Sequence, residues 1–542
     1  MFTENVPTPA LRGKRMRCHD LCRIVRSRLR LVMGGVIAAL TVFSHGCGTD
    51  FGLLFSSPGG PADPLTMADV DLIVKNSAAS LSSNTLVIAV TDREGNVLAV
   101  FRKPNAPDSV RVLLAERFLD VSANELAISL ARTGAFFSND QAPLSSRTVR
   151  FISRKHFPPT FDSSGRAVGV KNTASGALWD IEHTNRGCEL TTDYTPGSQI
   201  SASKSLDRSG PGLGIATFPG GVPLYMKNKL VGGVGVCGVN PDQAEFAAVA
   251  GANGFSPIAA SPGELFLDGV RLPFVDQTSR PFGFSTGEAV GAYVAIPDLV
   301  LPETMVAGPQ GSSRTQVPEG WLVGPRGSLE LSEVSVRQII ENAVFEANRT
   351  RAAIRLPLEA RTKMVLAVTS LSGAVLGLYR MPDATVFSID VAVTKARNVV
   401  YFSGRNRTIS DLPGVPKGVA VTNRTLRFGS QPFFPPGIDD SLPGPFVSLR
   451  LHNQDNACTQ GFQPAVPNQS GIIFFPGSAP LYRFGVELIG GFGVSGDGVD
   501  QDDIVTAAGL RGFEPVESLR ADHVDINGIT LPYLKFPRAP DE

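Results

Sequence analysis

The order of apolar and polar positions along the chain repeats. Near the start, Leu65-Thr66-Met67-Ala68-Asp69-Val70-Asp71-Leu72-Ile73-Val74 puts Val70, Ile73 and Val74 on one helical face, with Thr66 and Asp69 spaced to cap its beginning. The apolar run from Leu86 to Val90, a Glu94-Gly95-Asn96 turn and a second run from Val97 to Phe101 predict a hairpin. Both elements return downstream, as a helix after Leu331 carrying Val336, Ile339 and Ile340, and a hairpin from Met364 through Gly373 to Arg380. A helical stretch then follows in each copy, Ala123 to Phe137 and Ser388 to Phe402. Asp390 lies near the start of the second, where a negative charge suits the helix dipole.

A glycine-rich motif closes each copy, from Phe218 to Phe255 and from Phe475 to Phe513. Both keep a Phe-Pro-Gly start, Pro-Leu-Tyr, a Gly-Gly-x-Gly-Val strand and a final Gly-Phe. Short pieces with Asp268-Gly269 and Asn527-Gly528 turns complete them. A repeat of this length sets the number of cores at two. The expected modules span about 65–275, with a turn-rich insertion at about 138–217, and about 331–536, with an insertion at about 403–473. Between them, 276–330 is rich in Pro and Gly but apolar from Val290 to Leu301, which predicts an ordered strap.

Composition narrows the classes. A chain of 542 residues exceeds the usual domain of roughly 100–200, in agreement with two cores. Its 56 Gly and 41 Pro predict many turns, and 42% hydrophobic content is that of a globular protein. Fifty basic and fifty acidic residues cancel, which removes the electrostatic footprint of a nucleic-acid binder.

The first segment, 1–47, predicts a signal peptide, with Arg23, Arg26, Arg28 and Arg30 before an apolar or small-residue run from Leu31 to Phe43. Gly46-Cys47 resembles the lipobox of bacterial lipoproteins, which implies lipidation of Cys47 and a tether at 48–64. Ser44 and His45 depart from that pattern, so plain cleavage after Gly46 stands as the alternative. The expected location is the cell envelope, with the protein lipid-anchored or secreted.

These residues carry a family resemblance. Thr66-Met67-Ala68-Asp69, hairpins ending in Phe101-Arg102 or Tyr379-Arg380, Ser388-Ile389-Asp390 with Lys395-Ala396, and Gly220-Gly221-Val222-Pro223 before Val231-Gly232-Gly233-Val234-Gly235-Val236 resemble the GlcG/HbpS family of haem-binding-related domains. The resemblance implies an α+β fold: two profilin-like α/β/α modules with antiparallel sheets, packed as an internal pseudo-dimer. It implies a non-catalytic, extracytoplasmic binding protein for haem or a related small ligand, able to form homo-oligomers. The alternative is a structural or interaction protein with an envelope protein partner and vestigial pockets. Two positions depart from the family pattern, Asn124-Glu125 in the first copy and Gly477-Ser478-Ala479-Pro480 in the second.

Candidate chemistry lies in the insertions and at the hairpin ends. His183 and His452 each precede a cysteine, Cys188 and Cys458, at matched points of the repeat. The cysteines read as a disulfide of an exported protein, and the histidines, in strand-like contexts, as haem ligands or ordinary satisfied side chains. Arg102 and Arg380 suit a carboxylate or haem propionate, or a structural salt bridge. Gly220 and Gly221 allow a close backbone approach, either by a ligand or by a packed helix. Asp242, Asp500, Asp502 and Asp503 read as helix-start charges, and Cys237 as an inert buried thiol. No metal-site Cys-x-x-Cys spacing and no catalytic triad pattern is present.

Overall fold

A computed structural model of the chain describes residues 63–160, 169–182, 184–188, 205–207, 210–257, 263–297, 305–312, 317–456, 458–463 and 468–535. The predicted signal segment, Cys47 and His183 lie outside these residues.

The first module opens with α1 (Met67–Ala79), where Thr66 and Asp69 form the expected capping box and Val70, Ile73 and Val74 are buried. The hairpin β1 (Val87–Asp92) and β2 (Val97–Arg102) follows, then a hairpin of β3 (Ser109–Leu114) and β4 (Arg117–Ser122), then α2 (Ala123–Phe137). The insertion contributes α3 (Ser146–Ile152) before β5 (Gly221–Met226), β6 (Lys229–Cys237), α4 (Pro241–Gly251) and the short pair β7 (Phe266–Leu267) and β8 (Val270–Arg271). The strap supplies β9 (Ala292–Tyr293), β10 (Ala295–Pro297), β11 (Met305–Ala307) and β12 (Gly320–Val323). In the second module α5 (Glu333–Ala347), β13 (Val365–Thr369), β14 (Val375–Arg380) and α6 (Phe387–Ser403) repeat the opening elements. The second insertion holds α7 (Asn423–Gly429) and α8 (Val447–Asp455), and β15 (Ser478–Arg483), β16 (Glu487–Ser495), α9 (Val499–Gly509), β17 (Asp525–Ile526) and β18 (Ile529–Thr530) close the copy.

Each module is built on a five-stranded antiparallel sheet, β5-β6-β1-β2-β9 in the first and β15-β16-β13-β14-β12 in the second. The registers coincide down to the bulges: Val87 pairs with Arg102 and Val365 with Arg380, and each hairpin slips one residue before its Thr. The fifth strand is not part of either repeat. Both β9 and β12 come from the strap, one following its module and one preceding it.

Helices cover both sheet faces. On one side α1 and α4 bury Val70, Ile73, Ala244 and Ala248 against Ile88, Val90 and Val234. On the other α2 lies close to β6, and glycine is what permits it: a Cβ on Gly233 or Gly235 would stand 2.1 Å from the Ala131 or Ala127 carbonyl oxygen. In the second module Gly491 and Gly493 stand in the same relation to Ala396 and Ala392 of α6, again at 2.1 Å.

The modules share a core. Ala135, Phe136, Phe137, Leu144 and Ile152 of the first form one apolar cluster with Val365, Phe387, Val391 and Phe475 of the second. The rings of Phe137 and Phe387 are 4.3 Å apart. Among the described residues no helix is long and apolar enough to cross a membrane.

Candidate functional site

The two insertions meet each other, and their repeat is closer than the cysteines alone suggest. Ser145-Ser146-Arg147-Thr148-Val149-Arg150-Phe151 in the first corresponds to Thr422-Asn423-Arg424-Thr425-Leu426-Arg427-Phe428 in the second. Each makes a short helix with a capping box, α3 and α7. Thr148 donates to the Pro273 carbonyl at 2.6 Å, as Thr425 does to that of Pro532. Arg147 makes a bidentate pair with buried Glu245 at 2.7 and 3.0 Å, and Arg424 pairs with Asp503 and Asp500.

One turn further on the copies part. Arg427 of α7 is spent on carbonyls of the first module's insertion, including those of Gly176 at 2.6 Å and Ala177 at 3.2 Å. Its counterpart Arg150 lies over the Phe218 ring at 4.7 Å, and neither its guanidinium nor that of Arg154 has a hydrogen-bond or ion-pair partner among the described residues. Burial, reinforced by the neighbouring Arg154, pushes Arg150 down to about 10, and burial lowers Arg154 as well. The second copy has Gln431 at the Arg154 position. Glu182 in the same cleft offsets part of this charge, but it forms no ion pair with either arginine, and two partly buried guanidinium forks without hydrogen-bond partners among the described residues favour a carboxylate.

Two adjoining clefts share these arginines. One, of about 670 Å3, runs past Phe151, Pro219, Leu272, Phe274 and Arg271. The other, of about 300 Å3, is bounded by Trp179, Glu182, His156 and Arg450. His156 Nδ1 is 3.1 Å from the Thr173 carbonyl, and its Nε2 lies 3.6 Å from Asp439, beyond hydrogen-bond length. Glu182 is likewise committed, accepting from the Ala115 amide and the Thr217 hydroxyl at 2.6 Å each.

The residues singled out from the sequence are not brought together in a site. His452 lies on helix α8 rather than in a strand, its ring packed 4.8 Å from Phe462 and its Nδ1 3.3 Å from the Asn456 amide. Arg102 binds Asn124, the Ala106 carbonyl and Asp108 at 2.8–2.9 Å, which ties the end of β2 to the start of α2. Arg380 is fully buried and donates to the carbonyls of Ala384, Val317 and Pro318. Both hairpin arginines therefore spend most of their donors inside the protein, Arg102 on Asn124, Asp108 and one carbonyl and Arg380 on carbonyls. Gly220 and Gly221 admit protein, not ligand: a Cβ would stand 2.5 Å from Val236 O and 2.2 Å from Leu130 O. Cys188 and Cys458 are disulfide-bonded, and Cys237 is a buried free thiol.

Around that disulfide the first insertion docks on α8. Arg450 donates to Asp180 at 2.7 Å and Glu116 at 3.1 Å with its guanidinium 4.6 Å over Trp179, and Arg186 donates to the Gln454 carbonyl at 3.0 Å. The signal that could have led to Arg150 was the repeated Arg-Thr-x-Arg-Phe of the insertions; Arg154 lies outside it.

Fold and contacts define a tandem of two α+β domains, each a five-stranded antiparallel sheet covered by helices. The family model described as "Haem degrading protein HbpS-like" matches residues 179–253 and 344–511, one segment in each module, which is consistent with two tandem copies. A solved structure of PduOC in complex with haem is 21% identical over 34% of this chain and 95% of that one, with a TM-score of 0.23. Klebsiella pneumoniae protein ORFY, of the DUF336 family model, is 20% identical over 33% of this chain and 88% of its own, with a TM-score of 0.22. No curated protein matches the chain.

Proposed function

We propose that this chain is an exported, lipid-anchored, non-catalytic binding protein for a haem-like ligand, held in the arginine cleft of the first module. The observation that carries the reading is the pair Arg150 and Arg154, whose guanidinium groups make no hydrogen bond among the described residues, beside the apolar surfaces of Phe151, Phe218 and Phe274. A planar apolar ring with carboxylate arms matches that arrangement, and the family description supplies the ligand class. The reading rests on the carboxylates of haem rather than on its iron, because the groups that set this cleft apart are the two guanidinium forks. Recognition by carboxylate and ring therefore makes the affinity independent of iron.

The Cys188–Cys458 bond supports an oxidising compartment, and the shared core supports an internal pseudo-dimer in which one copy binds while the other braces it. The test is a titration of the chain after Cys47 with haemin and with metal-free protoporphyrin IX, read by Soret absorption and by quenching of Trp179 at the cleft wall. Both ligands are expected to saturate with similar affinity, Arg150→Gln/Arg154→Gln to weaken both at least tenfold, and the dimethyl ester of protoporphyrin to fail. Unchanged binding by the double variant, or binding of haemin alone, overturns the reading.

A further inference from the structure

A further cavity, of about 120 Å3, borders the core shared by the modules. Apolar side chains from both copies line it, Phe137, Leu144 and Ile152 from the first and Ile354, Phe387 and Phe475 from the second, together with polar ones that include Asn139, Thr385 and Gln501. At its polar end stand Lys395 of α6 and Asp502 of α9. Lys395 is fully buried and donates to the Val494 carbonyl at 2.7 Å and to Asp502 Oδ2 at 2.9 Å. An ammonium has three donors, so these two bonds leave one. The other carboxylate oxygen, Asp502 Oδ1, is buried with no hydrogen-bond partner among the described residues.

The neighbouring charges do not complete this pair. Asp497 is taken by Arg355 at 2.5 Å and by the Lys363 amide at 2.7 Å. Asp500 and Asp503 are taken by Arg424. Burial lowers Lys395 and raises Asp502 to about 7, the opposite of what an ion pair in water would do.

The first module shows what the fold needs at these positions. Ala131 corresponds to Ala396 and Glu245 to Asp503, so Leu130 and Ala244 stand where Lys395 and Asp502 do. The surroundings agree: a Cβ on Gly220 would meet Ala244 Cβ at 3.1 Å and Leu130 Cδ1 at 3.6 Å, and one on Gly477 would meet Asp502 Cβ at 2.5 Å and Lys395 Nζ at 3.0 Å. Two apolar side chains thus satisfy the same packing without stripping charges of water. A half-satisfied buried pair is a poorer structural solution than an apolar one. Its presence in the second copy, at the edge of this cavity, calls for a partner inside it.

We propose that this cavity is a ligand site separate from the arginine cleft, taking a small neutral molecule whose hydroxyl or carboxamide donates to Asp502 Oδ1 and accepts from Lys395. A cavity of roughly 150 Å3 holds benzene, so the occupant has about five or six non-hydrogen atoms. Its apolar body rests on the phenylalanines of both modules, and binding therefore joins them.

Cyclopentanol and isobutyramide are suitable probes, with benzene as the probe that lacks the polar group. Saturation-transfer NMR on the disulfide-bonded chain is expected to show saturable binding of both polar probes. Lys395→Leu/Asp502→Ala, which installs the first module's own residues, is expected to weaken the polar probes at least tenfold and to leave or improve benzene binding. Ile354→Trp, which fills the cavity and leaves the ion pair in place, is expected to abolish binding of all three, and it serves alone if the double variant fails to fold. No saturable binding of the polar probes to the native chain, equal polar-probe binding by the double variant, or binding that survives Ile354→Trp overturns the proposal. Haemin titration of the same variants separates this site from the arginine cleft, since neither substitution touches Arg150 or Arg154.

Discussion

Asp390 offers a direct test of the electrostatics at the junction of the copies. It sits in the first turn of α6, is buried, and has no hydrogen-bond partner among the described residues. Burial raises its carboxyl to about 7 from the usual 3.8, with Arg397 pulling the other way. Asp180, Glu182 and Arg186 border the same crevice. The sign follows from the raised value. Below about pH 4 the carboxyl is protonated in both folded and unfolded chains and costs nothing electrostatically. As pH climbs toward 7 the unfolded chain ionises first, and stability drains away until the folded carboxyl ionises as well. A carboxyl held at about 7 rather than 3.8 corresponds to roughly 4 kcal/mol lost by pH 8. Asp390→Asn removes that loss but brings an amide donor that must find a partner, at about 1–3 kcal/mol. Urea unfolding of both chains with the disulfide intact, from pH 4 to pH 8.5, should therefore show the variant more stable by about 1–3 kcal/mol at the alkaline end. It should be equal or weaker at pH 4. A stability difference that does not change with pH, or that runs the other way, refutes the assignment of a raised carboxyl.

Further outcomes follow from packing and connectivity. Gly491→Ala places a Cβ 2.1 Å from Ala396 O and should push α6 off the sheet, costing about 3 kcal/mol in a denaturant melt. Gly324→Ala, which has no heavy atom within 4 Å, should cost almost nothing and serves as the control. Cys188→Ser/Cys458→Ser opens a loop spanning 270 residues and should lower stability by about 2–5 kcal/mol, read as a drop in the thermal midpoint that reductant reproduces on the native chain.

Much of the framework was legible because it rests on local periodicity. The capping box at Thr66, the bounds of α2 and the glycines under α2 and α6 follow from short-range patterns that packing has no reason to override. The hairpin β3–β4 escaped because its tip, Ala115-Glu116, takes φ of 47° and 66° without the Asn-Gly that normally marks such a turn. Contacts with Glu182, Arg450 and Gln454 hold it in that shape, and those residues lie far away in sequence. The site escaped for a related reason. Arg102, Arg380, Arg427 and Arg150 look alike along the chain, and only the fold decides which guanidinium is bonded to carbonyls and which rests on a ring instead.

The strap has a consequence for anyone who takes this molecule apart. It docks β9 on the outer edge of β2 and β12 on the outer edge of β14, so a single connecting segment covers one open border of each sheet. Cut within 298–304 or 313–316, both halves keep that cover; trimmed to the repeats alone, each loses it and presents bare amides and carbonyls to any passing strand. A gene fragment ending at residue 275 or beginning at 331 is thus built to clump, however well its own core is packed. The linker works as a pair of bookends, and it must travel with the halves it closes.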